Sequence, residues 1–419
     1  MGIVKTNLTL IYCDSRKRDS TVAILIKELL SRKKQLSFIS SRRNFSTILR
    51  LITPANVIVI GQINILYDLI YTGKVLKKEF KGMNIYFYPS EGYAMEHEYT
   101  LMYPDRYQYN DVQKIFFWGQ ESLKWMADHV NIKREILDNT GYPRLKMGRI
   151  YAGLQNSKCR KIGFVGRFPM LNDLYGVLSM KYLLAEFANG KPYRALQVAR
   201  LEAEGRTVPI MLRTIKFIME QTDYSVSFRP HPNEDRRSYG ILKEFFGERM
   251  DVSEEVDAAE WMAGCSKIVG LASSSYIDAS LVNVPVICLD KLSNVLEETT
   301  KYEPALKLIY EVAYLPETFE ELTSLIGKNI QIKKSAIFDE LMKTNFIGDY
   351  DDPIRHVAES IQFKHRSIST WIIKISLDVL DLLLLARTWI RGSAALDFDY
   401  SAVIHGKNKK FVEMYINDK

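Results

Sequence analysis

The stretch KIVGLASSSYIDASLVNVPVICL, residues 267–289, holds two short apolar runs separated by a hydroxyl-rich turn and an amphipathic segment. Lys267–Gly270 and Val284–Leu289 are rich in Val and Ile and bounded by Gly or Pro, which predicts buried strands. Between them, Ser275–Val282 has helical spacing. Strand, helix and strand joined by short loops form a crossover unit, and such units build parallel sheets. Upstream the same rhythm recurs: Lys161–Val165 as a strand, Val208–Gln221 as a long helix, Tyr224–Phe228 as a strand and Asp257–Gly264 as a helix.

The first 150 residues repeat the pattern independently. Leu8–Tyr12, Leu36–Ile39, Val57–Ile60, Asn84–Tyr88, Lys114–Trp118 and Ile136–Asn139 read as strands; Ser20–Leu30, Ser46–Ile52 and Gln120–His129 read as helices. The fold class is therefore α/β, with two doubly wound lobes over residues 1–155 and 156–362 that join near Ala152–Ser157. Residues 363–419 form a third, helical region. Its apolar run Ile368–Ile390 carries Lys374, Asp378 and Asp381 on one helical face. Each such charge at a bilayer centre costs about 2.5–3.5 kcal/mol, so this region is expected to dock across the lobes or lie on a membrane surface rather than span it.

The chain has 419 residues and a net charge of +7. Ten Lys/Arg and only Asp19 and Glu28 as acids lie between Arg16 and Arg50, so the excess is one patch near the N-terminus. Nucleic-acid binding would interleave aromatics with these charges, and only Phe38 and Phe45 qualify. No nucleic-acid partner is expected. Cys13, Cys159, Cys265 and Cys288 show no paired spacing, which suits buried thiols in a reducing compartment. The opening MGIVKTNLTLIY is too short an apolar run for a secretory signal, so the expected location is cytoplasmic.

Ligands of open α/β sheets bind at the carboxyl ends of strands, so the post-strand loops are the ones to read. Arg229-Pro230-His231-Pro232 follows a strand, and its two prolines fix the backbone that presents Arg229 and His231, both phosphate donors. Ser273, Ser274 and Ser275 offer hydroxyls and amides at a helix start, where an anion is favoured. Gly166-Arg167 ends the strand Lys161–Val165 and is a further candidate for nucleotide phosphate contact. In the first lobe Ser90-Glu91-Gly92 follows a strand, and Glu91 can act as a general base. Glu96-His97-Glu98 lies close behind but lacks the spacing of a metal site, and no metal is expected. Trp118-Gly119 and Gly141-Tyr142-Pro143-Arg144 read as structural strand ends. There is neither a Walker A loop nor a G-x-G-x-x-G fingerprint.

Taken together, RPHP (229–232), SSSYIDASLVNVPVI (273–287) and NTGYPRL (139–145) resemble bacterial surface-carbohydrate biosynthesis glycosyltransferases, of capsule and lipopolysaccharide, with GT-B architecture. The chain is also similar to sialyltransferase and Kdo-transferase families that use CMP-activated acidic sugars. The resemblance covers residues 85–290 and implies two Rossmann-like lobes with a cleft between them. In those families an acid-acid-Gly motif precedes an HP and a serine motif. Glu91 and Gly92 match the second acid and the glycine, with Ser90 where the first acid is usual. That implies a catalytic Glu91, a His231-Pro232 pair assisting the departing CMP, and phosphate contacts from Ser273–Ser275.

The implied enzyme is metal-independent and needs no cofactor beyond its nucleotide-sugar co-substrate. Its acceptor is a glycan or lipid-linked glycan, and the basic patch suits association with the anionic inner-membrane surface. Inverting and retaining chemistry both stay open. So do other donors (CDP-glycerol, UDP- or GDP-sugars), a sugar-nucleotide 2-epimerase, whose His-Arg-x-x-Asn signature is not seen here, and a basic scaffold without catalysis.

Overall fold

The computed structural model describes residues 4–14, 16–41, 45, 48, 49, 52–61, 83–94, 99, 100, 102, 103, 109, 112–154, 160–173, 193–255, 257–362, 379 and 409–418. The chain forms two compact units, residues 1–147 with 342–419, and residues 148–341.

Unit 1 is built on β1 (Val4–Cys13), β2 (Ser37–Ser41), β3 (Ile52–Gly61), β4 (Asn84–Pro89), β5 (Val112–Phe117) and β6 (Leu137–Asn139). All pair in parallel in the order β2-β1-β3-β4-β5-β6. The consecutive residues Val57, Ile58, Val59 and Ile60 are all buried, as a sheet covered on both faces requires. The chain leaves β1 toward β2 and then returns to β3 on the other side, so the switch point lies between β1 and β3.

Helix α1 (Arg16–Arg32) follows β1. Asp19–Ala23, Leu25, Ile26, Leu29 and Leu30 are all buried, so the apolar side of α1 packs into unit 1. Arg32 joins Glu28 and Asn417, while Lys33 and Lys34 are exposed at the helix end.

Unit 2 holds β7 (Lys161–Val165), β8 (Ser225–Arg229), β9 (Met250–Val252), β10 (Lys267–Gly270), β11 (Val286–Cys288) and β12 (Ala313–Tyr314). Their order, β12-β11-β10-β7-β8-β9, is the doubly wound order of nucleotide-binding sheets, with its switch point between β7 and β10. The long helix begins at Tyr193, not at Val208, and runs to Gln221 through Pro209. Gly205 and Pro209 read as a break, but the Ala-, Leu-, Arg- and Glu-rich residues before them favour helix strongly enough to continue it.

The units divide within the helix Leu145–Gly153 and again at Met342, which differs from the expected boundaries at 155 and 362. Residues 342–362 belong with unit 1 because backbone packs on backbone there. Gly141, at φ +104°, lets Gly348 approach, and a Cβ on Gly348 would lie 2.3 Å from the Gly141 nitrogen. Tyr142 N–H donates to Phe346 O at 2.8 Å, and Asp349 N–H to Asn139 O at 2.8 Å. His356, on the helix Pro353–Ser360, meets Asp138 at 3.0 Å beside Lys114 at 2.6 Å. Burial pushes the Asp138 carboxyl up, and those two partners outweigh it, leaving it lowered to about 2.

The helix Lys409–Asn417 also docks on unit 1, where Tyr415 donates to Asp352 at 2.5 Å and Lys146 to Asp418 O at 2.5 Å. The segment 366–391, expected to dock across the lobes or lie on a membrane surface, lies outside the described residues apart from Val379. Among the described residues, no helix is long and apolar enough to cross a membrane.

Candidate functional site

At the carboxyl edge of unit 2, the sheet register sets three loops side by side. Val165 pairs with Arg229 on one side and with Gly270 on the other. Hence Gly166-Arg167, Pro230-His231 and Leu271–Ser275 leave neighbouring strands at the same level. Gly166 must be glycine, because a Cβ would lie 2.9 Å from Phe228 Cζ and 3.0 Å from both Arg229 O and Glu234 Oε2.

The serine loop is held from two sides at one residue, Ala272. Arg167 Nη1 donates to Ala272 O at 2.5 Å, and the Ala272 N–H donates to Asp290 Oδ1 at 3.0 Å. Arg167 also pairs with Glu303, which Arg200 meets at 2.8 Å. Asp290 is fully buried and further accepts from Tyr310 and, at 3.2 Å, from Cys288 Sγ. Burial and the neighbouring Asp290 hold the Cys288 thiol well up, so it stays protonated and donates.

Within the loop, Ser273 Oγ accepts from Ser275 Oγ at 2.9 Å and from Ser275 N–H at 3.2 Å. Those bonds occupy both lone pairs and leave the Ser273 O–H as a donor. Ser274 takes the N-cap position of the helix Ser275–Leu281 without a side-chain cap bond and is exposed. The His231 ring is fixed in the same sense. Its Nδ1 accepts from Asn233 N–H at 3.2 Å, which places the ring proton of the neutral form on Nε2. Pro232 is exposed beside it. Arg229 is buried, with Nη1 on Glu255 O at 2.5 Å and its guanidinium over the Trp261 ring.

The amides after β7 are taken by two buried carboxylates. Phe168 N–H donates to Glu234 at 2.7 Å, and those of Met170 and Leu171 to Glu204 at 3.0 and 2.9 Å. Burial pushes the Glu204 carboxyl up to about 8, against the lowering pull of the Leu171 and Met170 amides. Folding therefore takes up a proton between the ordinary carboxyl value and about pH 8, and this contribution to stability is lost as pH rises through about 8. Glu204→Gln should flatten that loss: the variant should gain Tm relative to wild type between pH 5 and 9. A pH-independent difference would exclude Glu204 as the group responsible.

In unit 1 the carboxyl edge at the switch point gathers a second set. The ladder continues past the strands: Asp14 N–H donates to Ile60 O and Ser90 N–H to Gly61 O, each at 3.1 Å. This lines up the ends of β1, β3 and β4. Arg18, in the first turn of α1, directs Nη1 to Glu91, Nη2 to Asp14 at 3.5 Å and Nε to Asp19 at 3.3 Å. Its backbone oxygen accepts from Arg144 Nη2 at 2.6 Å.

Gly92 is glycine for a packing reason, since a Cβ would lie 2.4 Å from the Trp118 indole. Trp118 Nε1 in turn donates to Pro89 O at 2.9 Å, fixing the turn that presents Glu91. Glu96 and Glu98 lie outside the described residues. Among the described residues, no three His, Cys, Asp or Glu side chains gather as a metal site would need.

Thus the expected residues fall into two groups: Gly166, Arg167, Arg229, His231, Pro232 and Ser273–Ser275 on unit 2, and Glu91 with Gly92 on unit 1. Sequence reasoning missed Asp14, Arg18, Glu204 and Asp290. Asp290 had a signal, since it follows the strand Val286–Cys288 by two residues.

No family model matches the sequence, and the comparison with curated proteins finds no match. Solved structures do match. A variant of the wall teichoic acid polymerase TagF aligns over 84% of this chain and 87% of that chain, with a TM-score of 0.54 and 10% identity. A TagF structure soaked with CDPG gives a TM-score of 0.53 and 9% identity over 84% and 87%. The UDP-GlcNAc 2-epimerase of Methanocaldococcus jannaschii, in complex with UDP-GlcNAc and UDP, aligns over 85% of this chain and 99% of that chain, with a TM-score of 0.44 and 12% identity. The fold is GT-B, with two α/β units each built on a six-stranded parallel sheet.

Proposed function

We propose that this chain is a metal-independent glycosyltransferase that takes a CMP-activated acidic sugar and transfers it to a glycan or lipid-linked glycan of a bacterial surface polymer. The observation that carries this reading is the alignment of the His231 and Ser273–Ser275 loops on either side of the β7 end, at the switch point of a doubly wound sheet. The resemblance of their motifs to CMP-sugar transferases supports CMP as the nucleotide.

As the bond from sugar to phosphate breaks, negative charge develops on the leaving CMP. The His231 ring and the Ser273 O–H are the donors assigned to it: Asn233 N–H bonds His231 Nδ1, and Ser275 occupies the acceptor sites of Ser273 Oγ. Arg167 and Asp290 fix the serine loop through the Ala272 carbonyl and amide. Glu91 takes the proton from the acceptor hydroxyl in an inverting displacement. The enzyme would act in the cytoplasm, at the inner surface of the membrane where lipid-linked acceptors lie.

A second reading, a donor of the CDP-glycerol type, is favoured by the TagF fold likeness. Both readings share a cytidine nucleotide. A thermal-shift panel of CMP, CDP, UDP and GDP tests this, because a ligand of the native state raises Tm by mass action. CMP is expected to give the largest rise, and CDP in its place would select the second reading. A larger rise with UDP or GDP would overturn both.

A further inference from the structure

We propose that Arg18 is a positioning residue for the transfer step, holding the Glu91 carboxylate in place for proton abstraction; this rests on the assignment of Glu91 as the base. The side chain of Glu91 is half exposed, at 49%, and sits on a turn beyond the end of β4. An unrestrained carboxylate there would sample several rotamers, and only some of them face an acceptor hydroxyl. Arg18 removes that freedom.

Its three guanidinium nitrogens go to three carboxylates, on the turn after β1 (Asp14), on α1 (Asp19) and on the turn after β4 (Glu91). The planar fork imposes direction as well as charge. The fork is itself anchored: Asp19 is buried, Tyr12 donates to Asp14 at 3.1 Å, and Arg144 grips the Arg18 carbonyl. An ordinary exposed ion pair contributes little to stability. A base displaced by about 1 Å can slow a reaction on the order of 10²-fold.

The test is a double-substitution cycle in a transfer assay, using Arg18→Met, Arg18→Lys, Glu91→Gln and the Arg18→Met/Glu91→Gln pair. Arg18→Met should lower kcat by about 10–100-fold with the donor KM unchanged. Arg18→Lys, which keeps charge without the fork, should recover part of that loss. The pair should be no slower than Glu91→Gln alone, because Arg18 acts only through Glu91. The CMP-induced rise in Tm reports the other unit and should be the same in both Arg18 variants. If Arg18→Met does not fold, Arg18→Lys carries the cycle with the same sign.

Wild-type kcat in Arg18→Met, or losses that multiply in the pair, would overturn the proposal while leaving Glu91 in the mechanism. Normal turnover in Glu91→Gln would remove Glu91 as the base, and the positioning role with it.

Discussion

Replacing Glu91 by Gln is expected to cut kcat by about 10²–10⁴-fold while leaving the CMP-induced rise in Tm intact. The amide matches the carboxylate in shape and can still accept from Arg18, so the turn at Ser90–Gly92 should keep its form. It cannot accept a proton at neutral pH. The loss therefore belongs to the chemical step, and the donor KM should barely move. Gly92 packs under the Trp118 indole and fixes this turn, so the variant should unfold within a degree or two of wild type. Near-normal turnover in an assay with saturating donor and acceptor would remove Glu91 from the reaction.

The second large effect is on stability. Asp290→Ala should lower Tm by roughly 6–20 °C and abolish the CMP-induced shift. Asp290 is fully buried and accepts from the Ala272 amide, Tyr310 and Cys288. Removing it orphans three buried donors, a loss of about 3–5 kcal/mol for a broken buried network. In a unit of this size, each kcal/mol is about 2–4 °C of Tm. Without Asp290 the Ala272 amide loses its acceptor while Arg167 still holds the Ala272 carbonyl, and the serine loop loses its fixed aim. Asp290→Asn keeps one acceptor oxygen and should fall between the two. A drop in Tm of less than about 2 °C in the alanine variant would show that the network is not what holds this loop.

Much of the fold was legible because its strands are short, apolar and bounded by Gly or Pro. Lys161–Val165, Lys267–Gly270 and the helix Gln120–His129 fall where their patterns predict. The strands Met250–Val252 and Ala313–Tyr314 were not legible, since two or three residues cannot display a period. The return of residues 342–362 to unit 1 was hidden for a different reason. It depends on backbone approach at Gly141 and Gly348, a contact between distant residues that leaves no local pattern.

The site divides similarly. His231 and the serines announced themselves as polar loops after strands. Arg18 did not, because in the sequence it is one of ten basic residues between Arg16 and Arg50. Only the structure separates it from that patch, by setting Arg18 among Asp14, Asp19 and Glu91. Glu204 lies within a long helix and gives no sign in the sequence that it captures the amides after β7.

The most direct test of the account is calorimetric titration of CMP into wild type, Glu91→Gln and His231→Ala. A hydrogen bond to a charged phosphate contributes about 1.5–3 kcal/mol, so the His231 variant should bind CMP roughly 10–100-fold more weakly. Wild type and Glu91→Gln should bind it equally. Unchanged affinity in His231→Ala, or affinity lost in Glu91→Gln, would contradict a donor site on the carboxyl edge of the second sheet.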